Sequence, residues 1–182
     1  IDAILDMIES DGLSVHDVES VVVKMPKEAH DYVGGPYRPD DTPQVSAQFN
    51  TAYNVTVAIA RGRVGLSEFE EDSVLDAGLR ELADKVKTVP TDEPYCFGPQ
   101  KITVKTRDGK TLTRTVKVMK GHPDNPMSRK EQVAKVRECF AVGGMPEQGV
   151  EALLECVDTL EKNPEPLAEL LNFGRTRDLV TS

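Results

Sequence analysis

The phenol of Tyr53 and the amides of Gln48, Asn50 and Asn54 lie in a stretch, Gln44 to Ala60, that has no charged residue in seventeen positions. Its length and its Ala, Phe, Tyr, Val and Ile content predict one buried helix, ended by Gly62. Polar side chains buried there need partners, because an unmet one costs about 1–3 kcal/mol. In one reading the polar edge is satisfied internally, with the Tyr53 hydroxyl on a backbone carbonyl and the amides capping loops. In the other it lines a ligand cavity, where a tyrosine hydroxyl donates to a carboxylate or relays a proton. The second chemical feature is His122, in the turn-rich run Gly121-His122-Pro123-Asp124-Asn125-Pro126. It either braces its loop or contacts an anionic ligand or a neighbouring subunit. The candidate site residues are therefore Tyr53, as proton partner or substrate contact, and Asn50 and His122, as substrate-binding groups.

Other motifs are missing. The chain has no P-loop, no GxGxxG, no GxSxG and no HExxH, and its histidines, His16, His30 and His122, are scattered, so neither a metal nor a cofactor is expected. Gly34-Gly35-Pro36 is too short and Pro-rich to cradle phosphate. His16 and His30 read as solvated residues of a turn and a charged stretch. Cys96, Cys139 and Cys156 form no CxxC pair, and their odd count argues against a disulfide framework. A reducing cytoplasm suits them, with Cys139 and Cys156 acting as small buried hydrophobes on helices.

Composition narrows the function classes. The 182 residues carry a formal charge of −9, with 22 basic and 31 acidic side chains. Such a surface repels phosphate backbones, so nucleic acid is not expected as a partner. No apolar run approaches the roughly 20 residues of a membrane span, and no secretory leader is expected, since no basic start followed by an apolar stretch is seen; a cytoplasmic location is expected. With no Trp and 5% aromatic residues, the chain offers no stacking platform for bases or sugars. It opens at Ile1 inside an amphipathic pattern (Ile1, Ile4, Leu5, Ile8) with no capping residue before it. That start is expected of a piece of a longer chain.

The elements that must position these residues follow from periodicity. A helix is predicted from Ile1 to Ser10, stopped at Asp11-Gly12, then a strand over Val18 to Pro26. After the uncharged helix, Ser73 reads as the N-cap of a helix carrying Val74, Leu75, Leu79, Leu82 and Val86, followed by a short strand, Val86 to Val89. A hairpin comes next. Its apolar residues are even-numbered on both strands (Ile102, Val104; Leu112, Val116, Val118), so a two-residue Asp-Gly loop would face them oppositely. A three-residue loop, Arg107-Asp108-Gly109 with Gly109 left-handed, keeps one oily face, pairs Val104 with Leu112 and sets Ile102 against Arg114 near the sheet margin. Ser128 and Glu131 form a capping box. Helices follow, one carrying Val133, Val136, Cys139 and Phe140, one carrying Val150, Leu153, Leu154, Val157 and Leu160, and a last short one with Leu167, Leu170 and Leu171. The fold class is α+β: a two-layer sandwich with a small, mostly antiparallel sheet and helices on one face, then C-terminal helices. The expected domains are 1–126, a helical segment 127–174, and a tail 175–182.

The wording of four segments resembles the C-terminal half of the MmgE/PrpD family. They are Ile1-Asp2-Ala3, the run Ala47-Gln48-Phe49-Asn50-Thr51-Ala52-Tyr53 on to Gly62, the strands around Lys105-Thr106-Arg107-Asp108-Gly109-Lys110-Thr111-Leu112, and Gly121-His122-Pro123-Asp124-Asn125-Pro126-Met127-Ser128. The resemblance runs from Ile1 to about Phe140. It implies a large helical domain and a smaller α+β lid, residues 1–126 being lid-like and Ser128 onward returning to helices of a domain absent from this chain. It implies a cofactor-independent enzyme for small di- or tricarboxylates, such as 2-methylcitrate dehydratase, cis-aconitate decarboxylase or iminodisuccinate epimerase, and commonly a homodimer. The family's Lys-Pro-Tyr-Pro segment and His, which precede the Ile-Asp-Ala stretch, are not in this chain; the family tyrosine falls on Tyr53, and His122 matches a recurrent position. The family usually has Ser-Leu-Pro where this chain has Asn50-Thr51-Ala52.

Two functions are therefore expected in competition. One is the C-terminal part of a lyase or isomerase, 2-methylcitrate dehydration (propionate catabolism) coming first, inactive on its own. The other is a non-catalytic α+β binding or interaction domain that lays its helices on a partner.

Overall fold

The computed structural model describes residues 1–162; the expected helix around Leu167 to Leu171 and the tail from Arg175 lie outside the described residues. The chain forms two compact units, Ile1–Pro126 and a second beginning at Met127.

The first unit opens with α1, Asp2–Asp11, whose core side carries Ala3, Ile4 and Met7. Gly12, at φ 70°, ends it in the left-handed conformation and donates its N–H to the Met7 carbonyl. Strand β1, Val18–Pro26, sends Val21, Val23 and Met25 into the core. Val18 has the opposite parity and is also buried. A register shift reconciles them: Val18 faces Thr106 and Ser20 faces Lys105, so Glu19 is an extra residue that returns Val18 to the core face.

A crossover of helices follows. Helix α2, Lys27–Val33, buries none of its residues and forms where only a charged stretch is expected; the Lys27–Asp31 pair at 2.5 Å supports it at i,i+4 spacing. The predicted single helix over 44–60 is two helices, α3, Pro43–Gln48, and α4, Thr51–Arg61. Asn50 makes the break. Its Oδ1 caps α4 by accepting from the Tyr53 N–H at 2.9 Å, and Asn54 Nδ2 reaches back to the Ala47 carbonyl at 3.0 Å. The helix expected from Ser73 is likewise divided into α5, Glu71–Val74, and α6, Ala77–Ala83. Asp76, not Ser73, is the cap, accepting from Gly78 and Leu79; the Ser73 hydroxyl instead bonds Arg61 and the Ser67 carbonyl.

Strand β2, Val86–Thr91, runs parallel to β1 from Val21↔Val86 to Pro26↔Thr91. Strands β3, Gln100–Thr106, and β4, Thr111–Val116, complete an order of β2-β1-β3-β4, with both remaining junctions antiparallel. Pro90 is tolerated because β2 is an edge strand. The β3–β4 hairpin has the expected register: Val104 faces Leu112 and Ile102 faces Arg114. Thr106 donates to the Lys110 carbonyl around the three-residue loop, and Gly109 sits at φ 85°.

Helix α4 is the centre of the unit. Val55, Ala58 and Ile59 join α1 and the strands in one core cluster. Ala52, Tyr53 and Val57 join Tyr37, Val74, Leu79 and Ala83 in a second. The opposite face of the sheet is polar, with exposed Lys24, Lys87, Lys101 and Thr113. The architecture is α+β, helices on one face of a small mixed sheet.

In the second unit the Ser128–Glu131 capping box starts α7, Arg129–Val142. Helix α8, Gln148–Asp158, packs against it, with Arg137 on Glu151 at 2.5 Å. Gly149 permits the approach: a Cβ there would stand 3.0 Å from the Phe140 ring. Cys156 is buried as expected and Cys139 is exposed, which corrects its assignment to a core. Among the described residues no helix is long and apolar enough to cross a membrane.

Candidate functional site

Tyr53 is completely buried. Its ring lies 4.8 Å from that of Tyr37 and 5.8 Å from that of Phe69, and its hydroxyl donates to the Glu68 backbone carbonyl. Burial, and then the neighbouring Tyr37, push its pKa up to about 12. The phenol therefore keeps its proton at neutral pH and is engaged inside the fold. Asn50 is also buried; besides capping α4 it donates Nδ2–H to the Gly35 carbonyl at 3.0 Å. Both residues follow the internally satisfied reading, their polar atoms bonded within the fold.

Glu68 was not singled out by its sequence, where it starts an acidic cluster. It is 1% exposed. Its carboxylate accepts from Arg63 Nε at 3.0 Å and from the Gly65 N–H at 2.8 Å, with Arg61 at 3.8 Å. This closes the 62–69 loop over Tyr53.

His122 lies apart from that cluster, in the loop after β4. Its Nδ1 accepts from the Asp124 N–H at 3.1 Å, so the neutral ring carries its proton on Nε2. Asn125 holds the loop at both ends, donating Nδ2–H to the Val118 carbonyl at 3.0 Å and accepting from the Gly121 N–H at 2.8 Å. The ring is half exposed. No contact joins His122 to Tyr53 or Asn50.

What the elements do bring together is a cleft of about 320 Å³ at one end of the sheet. Gln100 at the start of β3, Val116 at the end of β4, and Asp2 at the start of α1 frame it, with Phe97, Met119, Lys117 and Lys120 also lining it. Asp2 Oδ2 accepts from the Lys120 backbone N–H at 2.9 Å, tying α1 to the segment after β4. An adjoining depression shares Asp2, Val116 and Lys117 and adds Arg114, whose guanidinium is already held by Asp6 and, at 2.6 Å, by Asp11. These residues come from three separated segments. The sequence marks Lys117 as nothing more than the outward member of a strand alternation. The cleft thus sets two lysines, Lys117 and Lys120, and the carboxylate of Asp2 beside the apolar Ile1, Phe97, Val116 and Met119. No group of three or more His, Cys, Asp or Glu side chains among the described residues is arranged to hold a metal ion.

The first unit is thus an α+β domain with helices on one face of its sheet and a cleft at the sheet end, followed by a second, helical unit. Comparison with family models supplies the lineage: the MmgE/PrpD C-terminal domain matches residues 1–162. The chain belongs to the MmgE/PrpD family, and the match extends past Phe140 through α7 and α8. That family includes lyases and isomerases. No curated protein matches the chain.

Proposed function

We propose that this chain is the C-terminal part of a cofactor-independent lyase or isomerase that acts on a small di- or tricarboxylate. Dehydration of 2-methylcitrate is the first candidate, with decarboxylation or epimerisation of a related acid behind it. Membership of the MmgE/PrpD family through its C-terminal domain carries this reading. Removing a proton beside a carboxylate builds enolate-like charge, which cationic groups stabilise and a poised histidine can create. Within this chain Tyr53 is held by the fold and the three histidines do not converge. The α+β unit fits the part of a cover that shuts water from the site and adds cationic contacts. The base and most of the basic groups belong, in this reading, to a helical domain of the same protein, working as a cytoplasmic homodimer.

The test is a turnover panel of 2-methylcitrate, cis-aconitate and iminodisuccinate, run on the 182-residue chain and on the complete product of its gene. Turnover of one acid by the complete protein, and none by the chain alone, is expected. Activity in the chain alone overturns its assignment as an inactive part. A complete protein inert on all three overturns the reaction and leaves a non-catalytic binding domain in its place.

A further inference from the structure

We infer that Lys117 contacts the ligand of this protein, its ammonium holding a carboxylate of a small polycarboxylic acid in the cleft between the start of β3 and the end of β4. The ligand class rests on the proposed function; the choice of residue rests on the structure.

Charge and place together single out this lysine. Arg114 is compensated by Asp6 and Asp11, Lys105 by Glu19 at 2.9 Å, and Lys110 by Asp108 at 2.8 Å; the exposed Lys24, Lys87 and Lys101 have no ion pair among the described residues but line neither hollow. Lys117 has no carboxylate partner among the described residues, although it lines both the cleft and the depression beside it. The carboxylate common to both hollows, Asp2, uses Oδ2 on the Lys120 N–H. In a chain of net charge −9, an uncompensated cation in a concave place is where the local field draws an anion. The exposed Phe97 and Met119 beside it would cover the hydrocarbon part, and the Gln100 amide can bond a second oxygen.

The backbone around Lys117 is also fixed. β4 pairs up to Val116 against Gln100, Asn125 bonds the Val118 carbonyl, and Asp2 bonds the Lys120 N–H. A cation presented from a segment pinned on both sides is preorganised, and little ordering is left to be done on binding.

Tricarballylate, an unreactive tricarboxylic acid, is the probe. It is titrated into the 182-residue chain while the amide NMR signals of Gln100, Lys117 and Met119 are followed, with inorganic phosphate in a parallel titration. Saturable shifts at those three amides are expected. Lys117→Met should weaken binding by about tenfold or more, the size of one lost charge-assisted contact, and Lys117→Arg should restore most of it. Lys24→Met, which removes a positive charge from the sheet face away from the cleft, should leave binding unchanged. No saturable binding, equal binding by Lys117→Met, an equal loss in Lys24→Met, or phosphate binding as tightly as tricarballylate each overturns the inference. The turnover panel separates the two claims. Lys117-dependent binding with no acid turned over by the complete protein sinks the proposed reaction alone; turnover with KM unchanged in Lys117→Met sinks this inference alone.

Discussion

The Tyr53 hydroxyl donates to the Glu68 backbone carbonyl while the Glu68 carboxylate accepts from the Gly65 N–H at 2.8 Å, so one residue ties both the core helix α4 and its own loop. Tyr53→Phe removes the donor and leaves the carbonyl buried and unmet. The expected loss is about 1–3 kcal/mol in urea unfolding at pH 7. Burial raises the Tyr53 pKa from 10 to about 12. The folded chain therefore keeps a proton that the unfolded chain releases, and this contribution is full below pH 10 and is lost as pH rises through about 12. Unfolding curves at pH 9 and pH 11 should show a smaller alkaline loss in Tyr53→Phe than in the wild type. An equal loss in both places the alkaline sensitivity elsewhere.

Removing the other half of the same tie should cost more than trimming it. Glu68→Ala leaves the Gly65 N–H and Ser67 hydroxyl without their acceptor and Arg63 without its partner. Because Arg63 is largely exposed, it rehydrates readily, and the expected loss is about 2 kcal/mol rather than the larger figure for a fully buried pair. Glu68→Gln keeps an oxygen for Gly65 and should retain more than half of that stability. If Glu68→Gln is as damaging as Glu68→Ala, the charge and not the loop contact is what matters. Urea midpoints at equal m-value decide between them.

These ties mark the boundary of what the sequence tells. Alternation is strong where one sheet face is oily, so the hairpin register, down to Ile102 against Arg114, follows from parity. The role of Arg114 does not: its partners Asp6 and Asp11 lie over a hundred positions away on α1. Apolar composition marks 44–60 as buried, but it does not disclose that Asn50 divides it, because a cap and a mid-helix asparagine look alike until the backbone is seen. Helix α2 is missed for the opposite reason, having no buried residue to leave a periodic stripe. The candidate cleft is the least legible feature. Asp2, Gln100 and Lys117 meet only because the sheet order brings β3 and β4 beside the start of α1.

The loop that sets the hairpin register depends on Gly109, at φ 85°. A Cβ at this position meets nothing within 4 Å, so Gly109→Ala isolates the backbone penalty from any clash. The expected loss is about 1–2 kcal/mol, with the m-value unchanged and the Val104–Leu112 pairing kept. A loss below a few tenths of a kcal/mol would mean that the loop adopts another turn and the register does not need a left-handed residue. Amide exchange at Thr106, whose N–H bonds the Lys110 carbonyl across the loop, reports which has occurred.

Asp108 in that loop sets an acid limit. Lys110, foremost, and then the Thr106 hydroxyl bond its carboxylate and hold its pKa at about 2, below the ordinary 3.8. Here the folded chain releases a proton that the unfolded chain binds. The contribution is complete above pH 3.8 and is lost as pH falls through about 2. Asp108→Asn should therefore be less stable than the wild type at pH 6, and the difference should close by pH 2. The side chain is exposed, so the Lys110 share is screened by salt while the Thr106 bond is not. Raising the salt should shrink the gap at pH 6 without abolishing it. A gap that persists unchanged at pH 2 would show that the asparagine disturbs the turn itself, and complete closure by salt at pH 6 would leave the Thr106 bond without a share in the effect.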